Sequence, residues 1–308
     1  MYFSDYIRNC REKCQITQEK MVKDLYDFDF GNFAGLDTTT LSKWERGISK
    51  PKIARQAGVI RYFQKLTGNA LPCLEHCSIA EAEKMISKSG MEHMVGKSRH
   101  LILNFPSAMM QSSEITVHQL RHSKIMDDII DINMDLDRDF NRNSTGLSRE
   151  TFKRWALHPG SAFYVCEYKE QFFGLLFSLR LKQNVFQELM RFKKEERTLD
   201  ANDFAAYNEE GDSYVTSFFA LNEKAAALLF VRYFAYLIAN QNRIAEVGAA
   251  TMMEDGKKLI ENMHLTRYSS AEIKPGIKMY TYRETLSRLL AQENVVKMIL
   301  SNRESPGK

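Results

Sequence analysis

The chain has 308 residues, of which 44% are apolar and 27% are charged. This length predicts two domains, and the composition is that of a soluble globular protein. The formal net charge of +4 is unevenly placed, because residues 1–70 contain 12 basic and 8 acidic side chains whereas the rest of the chain contains equal numbers. This local excess favours a module that faces nucleic acid, joined to a neutral body.

Neither a leader nor a membrane span is predicted. Asp5, Arg8 and Arg11 lie where a secretory leader would need an apolar stretch, and the apolar run at 225–239 is short and interrupted by Arg232. The five cysteines are scattered and odd in number, which indicates reduced thiols. We therefore expect a cytoplasmic protein without membrane contact.

Residues 3–66 have the apolar periodicity of successive helices. The predicted elements are helices that begin near Ser4 and Thr17, a turn-rich stretch at 27–37, a helix over 38–46 that stops at Gly47, and a helix over 53–66.

The predicted helix at 38–46 has two different faces. Asp37 can cap it, and Leu41 and Trp44 lie three residues apart on the side that would face a core. The opposite side carries short or basic side chains: Thr38, Thr39, Ser42 and Lys43. A helix that enters the DNA major groove needs this division between an anchoring side and a hydrogen-bonding side. The alternative is a capped amphipathic helix of an ordinary bundle.

The run Leu41-Ser-Lys-Trp-Glu-Arg-Gly47, with Gln18 at the start of the second helix, resembles the Cro/Xre family of helix-turn-helix repressors across residues 3–66. Gln18 and Trp44 are about nine residues further apart than in compact members of that family, and the extra residues lie around 27–33. The resemblance implies base contacts by Thr38, Thr39 and Lys43, with Ser42 beside them, a phosphate contact by Gln18, and backbone contacts by Ser49, Lys50 and Lys52. It also implies structural roles for Arg11, Trp44 and Glu45, with an ion pair between Arg11 and Glu45.

Residues 71–114 read as a helical connector, since glycine and proline punctuate them. From residue 115 the pattern alternates between strands and helices. The predicted elements are a strand at 115–120, two helices within 123–157, a hairpin over 162–180, a polar insert at 183–211, strands at 213–221, 244–252 and 278–284, and helices at 224–240, 255–263 and 286–300.

This element order looks like the GNAT acyltransferase fold. The residues that carry the resemblance are Trp155-Ala-Leu-His-Pro159, Phe173-Gly-Leu-Leu-Phe177 and Ala249-Ala-Thr-Met-Met253. We therefore expect an α+β protein: an all-α helix-turn-helix domain at 1–70, the connector at 71–114, and a mixed-sheet GNAT-like α/β domain at 115–308.

The resemblance implies an acetyl-CoA site that depends on glycines at the start of a helix, where backbone N–H groups approach a pyrophosphate. At the matching place the chain reads Asn222-Glu-Lys-Ala-Ala-Ala-Leu-Leu229, without glycine. We therefore predict no cofactor and a non-catalytic domain, with acetyl-CoA or acyl-CoA binding as the alternative.

The second domain has candidate ligand-cleft residues but no defensible catalytic set. Strand residues that could line a cleft are Tyr164, Phe177, Tyr214, Thr216 and Phe218, although such aromatic side chains also fill ordinary cores. Cys73, His76 and Cys77 have no second pair of ligands at zinc-site spacing, so no metal site is predicted.

The prediction from the sequence is a dimeric transcription regulator that binds double-stranded DNA. A dimer is expected because one recognition helix alone reads too few base pairs. The second domain would sense a small-molecule effector or supply the dimer contact. One alternative is an active acyl-CoA-dependent N-acyltransferase fused to a helix-turn-helix domain. Another is a protein-interaction module that grips a protein partner.

Overall fold

The computed structural model describes residues 1–96, 100–106, 114–141 and 147–300, without the side chains of 139–141. The expected α+β class is confirmed, because a helical N-terminal region precedes a seven-stranded mixed sheet. Parts of the connector predicted at 71–114 and of the C-terminal region lie outside the described residues.

The N-terminal helices follow the local capping signals of the sequence. They are α1 (Phe3–Lys13), α2 (Gln18–Phe28), α3 (Phe30–Phe33), α4 (Thr38–Glu45) and α5 (Ile53–Thr67). The side chains of Thr17 and Asp37 accept the backbone N–H groups of Lys20 and Thr40, which caps α2 and α4. The short α3 lies in the stretch that the sequence predicted as turns, and its Phe33 is buried.

The remaining elements are α6 (Ile79–Met85), α7 (Lys88–Val95), β1 (Ile115–Gln119), α8 (Met126–Asn141), α9 (Arg149–Leu157), β2 (Ala162–Tyr168), β3 (Gln171–Leu181), α10 (Gln183–Met190), β4 (Gly211–Ala220), α11 (Glu223–Ala239), β5 (Ile244–Thr251), α12 (Glu254–Asn262), β6 (Thr266–Lys274), β7 (Ile277–Thr285), α13 (Leu286–Leu290) and α14 (Glu293–Ile299). Short 3₁₀ helices cover 120–122, 196–198 and 201–203.

The sheet has the order β1-β2-β3-β4-β5-β7-β6, and its neighbours are antiparallel except for β4 and β5. The edge strand β6 was missed in the sequence, because most of its residues are exposed and polar and so lack the alternating apolar pattern of a half-buried strand.

The parallel strands β4 and β5 pair only at their amino-terminal ends. Their register runs from Gly211 opposite Ile244 to Val215 opposite Ala249. β4 continues to Ala220 and β5 continues to Thr251. A β-bulge in β4, between Val215 and Ser217 opposite Phe177 and Ser178, bends the strand where its pairing with β5 ends. The two strands therefore diverge at their carboxyl ends and leave a gap within the sheet.

Helices cover both faces of the sheet. We call the side packed by α11–α14, α6 and α7 the first face, and the side packed by α8, α9 and α10 the second face. Each face has its own cluster of buried apolar side chains, and the first-face cluster continues into the N-terminal helices. The N-terminal helices thus share the first-face cluster with the sheet region.

Hydrogen bonds that each involve at least one main-chain group join the helical region to the sheet region. The backbone N–H of Leu71 donates to Oε1 of Gln241 at 2.5 Å, and that of Ser87 donates to the carbonyl of Met298 at 3.0 Å. Nε2 of Gln64 donates to the carbonyl of Ser287 at 2.8 Å.

Among the described residues, no helix combines the length and the apolar character needed to cross a membrane.

Candidate functional site

A cavity of about 920 Å³ lies at the gap between β4 and β5. Thr216 and Ser217 of β4 and Ala250 and Thr251 of β5 line it beyond the last paired residues. Its wall also contains side chains from the buried clusters on both faces of the sheet. The cavity therefore connects the two faces through the place where the strands separate.

On the first face the cavity is bounded by apolar side chains. Phe230 and Phe234 of α11, Leu259 of α12 and Leu289 of α13 form this wall, and all four are buried. Such a surface suits an apolar group that enters from the gap.

On the second face the cavity wall contains polar side chains. Asn133 of α8, Tyr214 of β4 and Glu196 of the 3₁₀ helix at 196–198 lie there. Glu196 comes from the polar connection between β3 and β4, the segment that the sequence suggested only as a charged insert. Sequence reasoning missed Glu196, because no motif marks it and its importance comes from the strand it faces.

Glu196 and Tyr214 form a hydrogen-bonded pair at this wall. The Tyr214 hydroxyl donates to Oε2 of Glu196 at 3.0 Å. Removal from water raises the pKa of Glu196 to about 7, against the lowering effect of the Tyr214 hydrogen bond and with a further rise from the charge of Asp137. Burial raises the pKa of Tyr214 well above its ordinary value, so its hydroxyl stays protonated at neutral pH.

This pair has the properties of a general base with a positioning partner. A carboxyl group with a pKa near 7 is divided between its two forms at neutral pH, where proton acceptance is most effective. The Tyr214 hydrogen bond holds the carboxylate at the cavity on the second face. Tyr214 itself is one residue before Val215, the last residue of β4 that pairs with β5. The arrangement can deprotonate a nucleophile that approaches the gap from the second face.

The amino end of α11 lies beside the gap, where the sequence lacks glycines. Oδ1 of Asn222 accepts the N–H of Ala225 at 2.8 Å. The chain's own segment at 101–105 runs along the end of β4: Ala220 donates its N–H to the Leu101 carbonyl and accepts the Leu103 N–H, both at 2.9 Å. These backbone groups of Ala220 and Ala225 are therefore already paired within the chain.

The predicted cleft residues divide into two groups. Tyr214, Thr216 and Phe218 line the cavity. Tyr164 instead packs near Tyr236 in the first-face core, with ring centroids 6.5 Å apart. Phe177 stacks on the neighbouring strand's Phe163 at 4.4 Å within the second-face core, so neither Tyr164 nor Phe177 belongs to the cavity wall.

In the N-terminal region, α4 has the two faces that the sequence indicated. Leu41 and Trp44 are buried, whereas Thr39 and Lys43 are exposed. The other residues implicated in DNA contact are Thr38 and Ser42, which are partly buried, and Ser49, Lys50 and Lys52, which are exposed.

A buried carboxylate organises the start of α2 and the end of α4. Nε and Nη2 of Arg11 donate to the two carboxylate oxygens of Glu45, at 2.6 Å and 3.0 Å. Nε2 of Gln18 donates to the same carboxylate at 2.7 Å. The side-chain amide of Gln18 is thus directed inward, to Glu45, in this structure.

No side-chain cluster for a metal ion emerges from the cysteines. Across 1–96, 100–106, 114–141 and 147–300, no group of three or more His, Cys, Asp or Glu residues is arranged to hold one. Cys73 and Cys77 are free thiols.

The comparisons with known proteins concern the fold of the second part of the chain. No protein-family profile matches the chain, and no curated protein matches it. Several solved structures are similar to it, and three of them are described here. FeeM, an N-acyl amino acid synthase from uncultured soil microbes, has 10% identity and a TM-score of 0.41 over 58% of this chain and 94% of its own. Aminoglycoside 6'-acetyltransferase type Ii has 10% identity and a TM-score of 0.35 over 56% and 96%. Mycobacterium smegmatis RimJ in complex with CoA-disulfide has 8% identity and a TM-score of 0.34 over 57% and 87%.

The second part of the chain is a seven-stranded mixed sheet with helices on both faces, which matches the GNAT-like fold that the sequence predicted. The sequence predicted a transcription regulator with a non-catalytic second domain and a protein that is not an enzyme; the solved structures that are similar to the chain are acyl- and acetyltransferases instead. The prediction of a non-catalytic domain depended on the glycine-free loop before α11. The strand gap, the cavity and Glu196 lie outside that loop. Double-stranded DNA, a second copy and a small-molecule effector stay predictions as partners.

Proposed function

We propose that this chain is an acyltransferase that moves an acyl group from a thioester to an amine. The observation that carries the proposal is the cavity at the β4–β5 gap, with an apolar wall on one face and the Glu196–Tyr214 pair on the other. The donor would enter from the first face and the amine from the second, so that they meet within the sheet.

The reaction needs one base and an oriented pair of substrates. The Glu196 carboxylate removes a proton from the amine, whose nitrogen lone pair then attacks the thioester carbonyl carbon. The new C–N bond forms as the C–S bond breaks, and the departing thiolate takes up a proton to leave as a thiol. Holding both substrates at the gap replaces a bimolecular encounter with a local one.

The residues fit the acyl end of a thioester better than the nucleotide end of coenzyme A. An apolar wall and a nearby base suit the acyl group and its carbonyl. At the amino end of α11, the Ala225 N–H is already bound to Asn222, and Ala225, Ala226 and Ala227 are buried and carry Cβ atoms where glycines would admit a pyrophosphate. We therefore assign the thioester to the gap and assign no residues to the nucleotide.

The proposal is tested by product formation from defined donors and amines. The purified chain is incubated with acetyl-CoA, dodecanoyl-CoA and the matching acyl-pantetheines, each with pooled amino acids, polyamines or aminoglycosides. Mass spectrometry detects the amide, and a thiol reagent follows release of the carrier. We expect an amide from at least one combination, and similar rates from the CoA and pantetheine forms.

Two variants separate the base from its surroundings. Glu196→Gln should lower kcat by about 100-fold or more, because it removes general base catalysis, whereas Glu188→Gln on the exposed side of α10 should leave kcat unchanged. In the parent protein the Tyr214 hydrogen bond lowers the pKa of Glu196. Tyr214→Phe removes this bond and should therefore raise that pKa, which moves the rising limb of the kcat–pH profile above its position near pH 7.

Two outcomes would contradict the proposal. One is the absence of amide with every donor and amine class. The other is an amide-forming activity that Glu196→Gln leaves intact, since the observation that carries the proposal would then have no part in the reaction.

A further inference from the structure

Two cysteine side chains from distant parts of the chain meet where α1 packs against the segment after α5. Sγ of Cys10, in α1, lies 3.6 Å from the carbonyl oxygen of Pro72. Three residues further along α1, Nζ of Lys13 donates to Oε2 of Glu75 at 2.8 Å. Cys73 lies between Pro72 and Glu75 in the sequence, so both contacts hold it against α1. The thiols of Cys10 and Cys73 are hydrogen-bonded to each other, and the two sulfur atoms are therefore neighbours.

The backbone at Cys73 is held in a conformation that residues with a side chain rarely adopt. Its φ is +68°, in the left-handed region, where a Cβ atom causes strain. Its N–H donates to Oε1 of Glu75 at 3.1 Å, and the same oxygen accepts Nδ2 of Asn69 at 2.8 Å. Glu75 is only 9% exposed, so these bonds are shielded from water. Glu75 thus maintains the turn that brings the Cys73 sulfur to Cys10.

The two thiols differ in access and in acidity. Cys10 is fully buried, and burial raises the pKa of its thiol. Cys73 is half-buried, and its hydrogen bond with Cys10 lowers the pKa of the Cys73 thiol, against the raising effects of burial and of the Glu75 charge. The thiolate is the reactive form of cysteine, and it reacts only where a reagent can reach it. An oxidant in solution therefore meets Cys73 first, with Cys10 directly behind it.

We infer that Cys10 and Cys73 form a reversible redox site, at which a peroxide converts the two thiols into a disulfide. The Cys73 thiolate attacks a peroxide oxygen, the O–O bond breaks, and Cys73 becomes a sulfenic acid. The departing hydroxide takes up the proton that Cys73 had released. The Cys10 sulfur then attacks the Cys73 sulfur, the S–O bond breaks, and the hydroxide leaves as water with the Cys10 proton. The sulfur pair is oxidised by two electrons, and the peroxide is reduced to water.

The disulfide closes a loop of about 60 residues that contains α2, α3, α4 and α5. Closing such a loop restricts the unfolded chain and so stabilises the folded one. The segment after α5 is also bound to the turn after α11, because the Leu71 N–H donates to Gln241. Oxidation therefore fastens α1 to the junction between the helical region and the sheet region. Neither Cys10 nor Cys73 lines the cavity at the β4–β5 gap, so this site is separate from the acyltransferase proposed above.

Peroxide treatment of the full chain tests the pairing directly. The reduced protein is exposed to a small excess of hydrogen peroxide, blocked with iodoacetamide and digested with trypsin without reduction. Cleavage after Arg11 and Lys13 separates Cys10 from Cys14, so mass spectrometry identifies which of them is linked to the peptide that contains Cys73. We expect a crosslink between Cys10 and Cys73 that dithiothreitol removes.

Matched variants locate the disulfide within the cysteines of this region. Cys10→Ala and Cys73→Ala should each abolish the crosslink. Cys14→Ala, one turn further along α1, and Cys77→Ala should leave it intact. Oxidation should raise the melting temperature of the parent by about 5–10 °C and leave that of Cys73→Ala unchanged. Circular dichroism verifies that each reduced variant is folded.

Four outcomes would overturn the inference. They are the absence of oxidation at both sulfur atoms, a crosslink from Cys73 to Cys14 instead of Cys10, a sulfinic acid at Cys73 without any crosslink, and an oxidised parent that melts at the temperature of the reduced one. Each of them leaves the acyltransferase proposal intact, because amide formation is assayed without peroxide.

Discussion

At the scale of single residues, Glu196 shows how one placement affects reactivity and stability in opposite ways. The Glu196 side chain is partly buried at the cavity wall, and this desolvation raises the pKa of its carboxyl group to about 7. That shift suits a base working near neutral pH. The same desolvation makes the ionised form costly in the folded protein.

We predict that Glu196→Gln stabilises the fold at pH 8 and has no effect on stability at pH 4. In the unfolded chain the carboxyl group titrates near 4.5, and in the folded chain near 7. Between these values the unfolded state loses its proton first, so the free energy of unfolding falls as pH rises and stays lowered above pH 7. The gain at pH 8 should be about 1–3 kcal/mol by urea denaturation. Glu188→Gln is the control, and a gain of equal size at both pH values would count against this account.

At the scale of elements, the close contact of β3, β4 and α11 builds the framework around the gap. Gly174 of β3 lies opposite Ala220, close to the end of β4. A Cβ atom at Gly174 would lie 2.8 Å from the carbonyl oxygen of Phe219 and 3.0 Å from Cδ1 of Leu229. The strand and the helix can approach this closely only because Gly174 has no side chain.

We predict that Gly174→Ala destabilises the protein by about 1–3 kcal/mol, because backbone atoms of β4 would have to move. Chemical denaturation measures the change. Gly31→Ala in α3 is the matched control, since its new Cβ would meet nothing nearer than Oδ1 of Asp29 at 3.7 Å. Its stability should stay within about 0.5 kcal/mol of the parent. Equal stability of the two variants would show that β3 and β4 adjust more freely than this packing implies.

At the scale of the whole molecule, the helical N-terminal region is packed against the sheet region and does not stand apart from it. The first-face cluster runs without interruption from α1 to α14. Gln241, in the turn after α11, accepts the buried N–H of Leu71. A region built this way gains much of its stability from the rest of the chain.

We therefore predict a single unfolding transition for the full chain in scanning calorimetry. Gln241→Ala should lower the stability of that one transition by about 1–3 kcal/mol, because the Leu71 N–H loses its acceptor. Gln183→Ala, at the exposed start of α10, should change it little. Two separated transitions, with only one affected by Gln241→Ala, would contradict a shared cooperative core.

The sequence by itself determined the features that depend on near neighbours along the chain. The caps at Thr17 and Asp37, the two faces of α4 and the hairpin of β2 and β3 follow from spacing and side-chain chemistry within a few residues. The order of strands and helices was enough to predict the α+β class and the GNAT-like fold.

Only the tertiary structure decided where chemistry can occur. Whether β4 and β5 stay paired beyond Val215 depends on strands and helices distant in the chain, so the gap leaves no local signal. The pKa of Glu196 is set by its removal from water beside Tyr214, and the amide of Gln18 is directed inward by Glu45. Desolvation and pairing are properties of the assembled surroundings, so the glycine-free loop before α11 could not indicate the partly buried carboxyl group of Glu196.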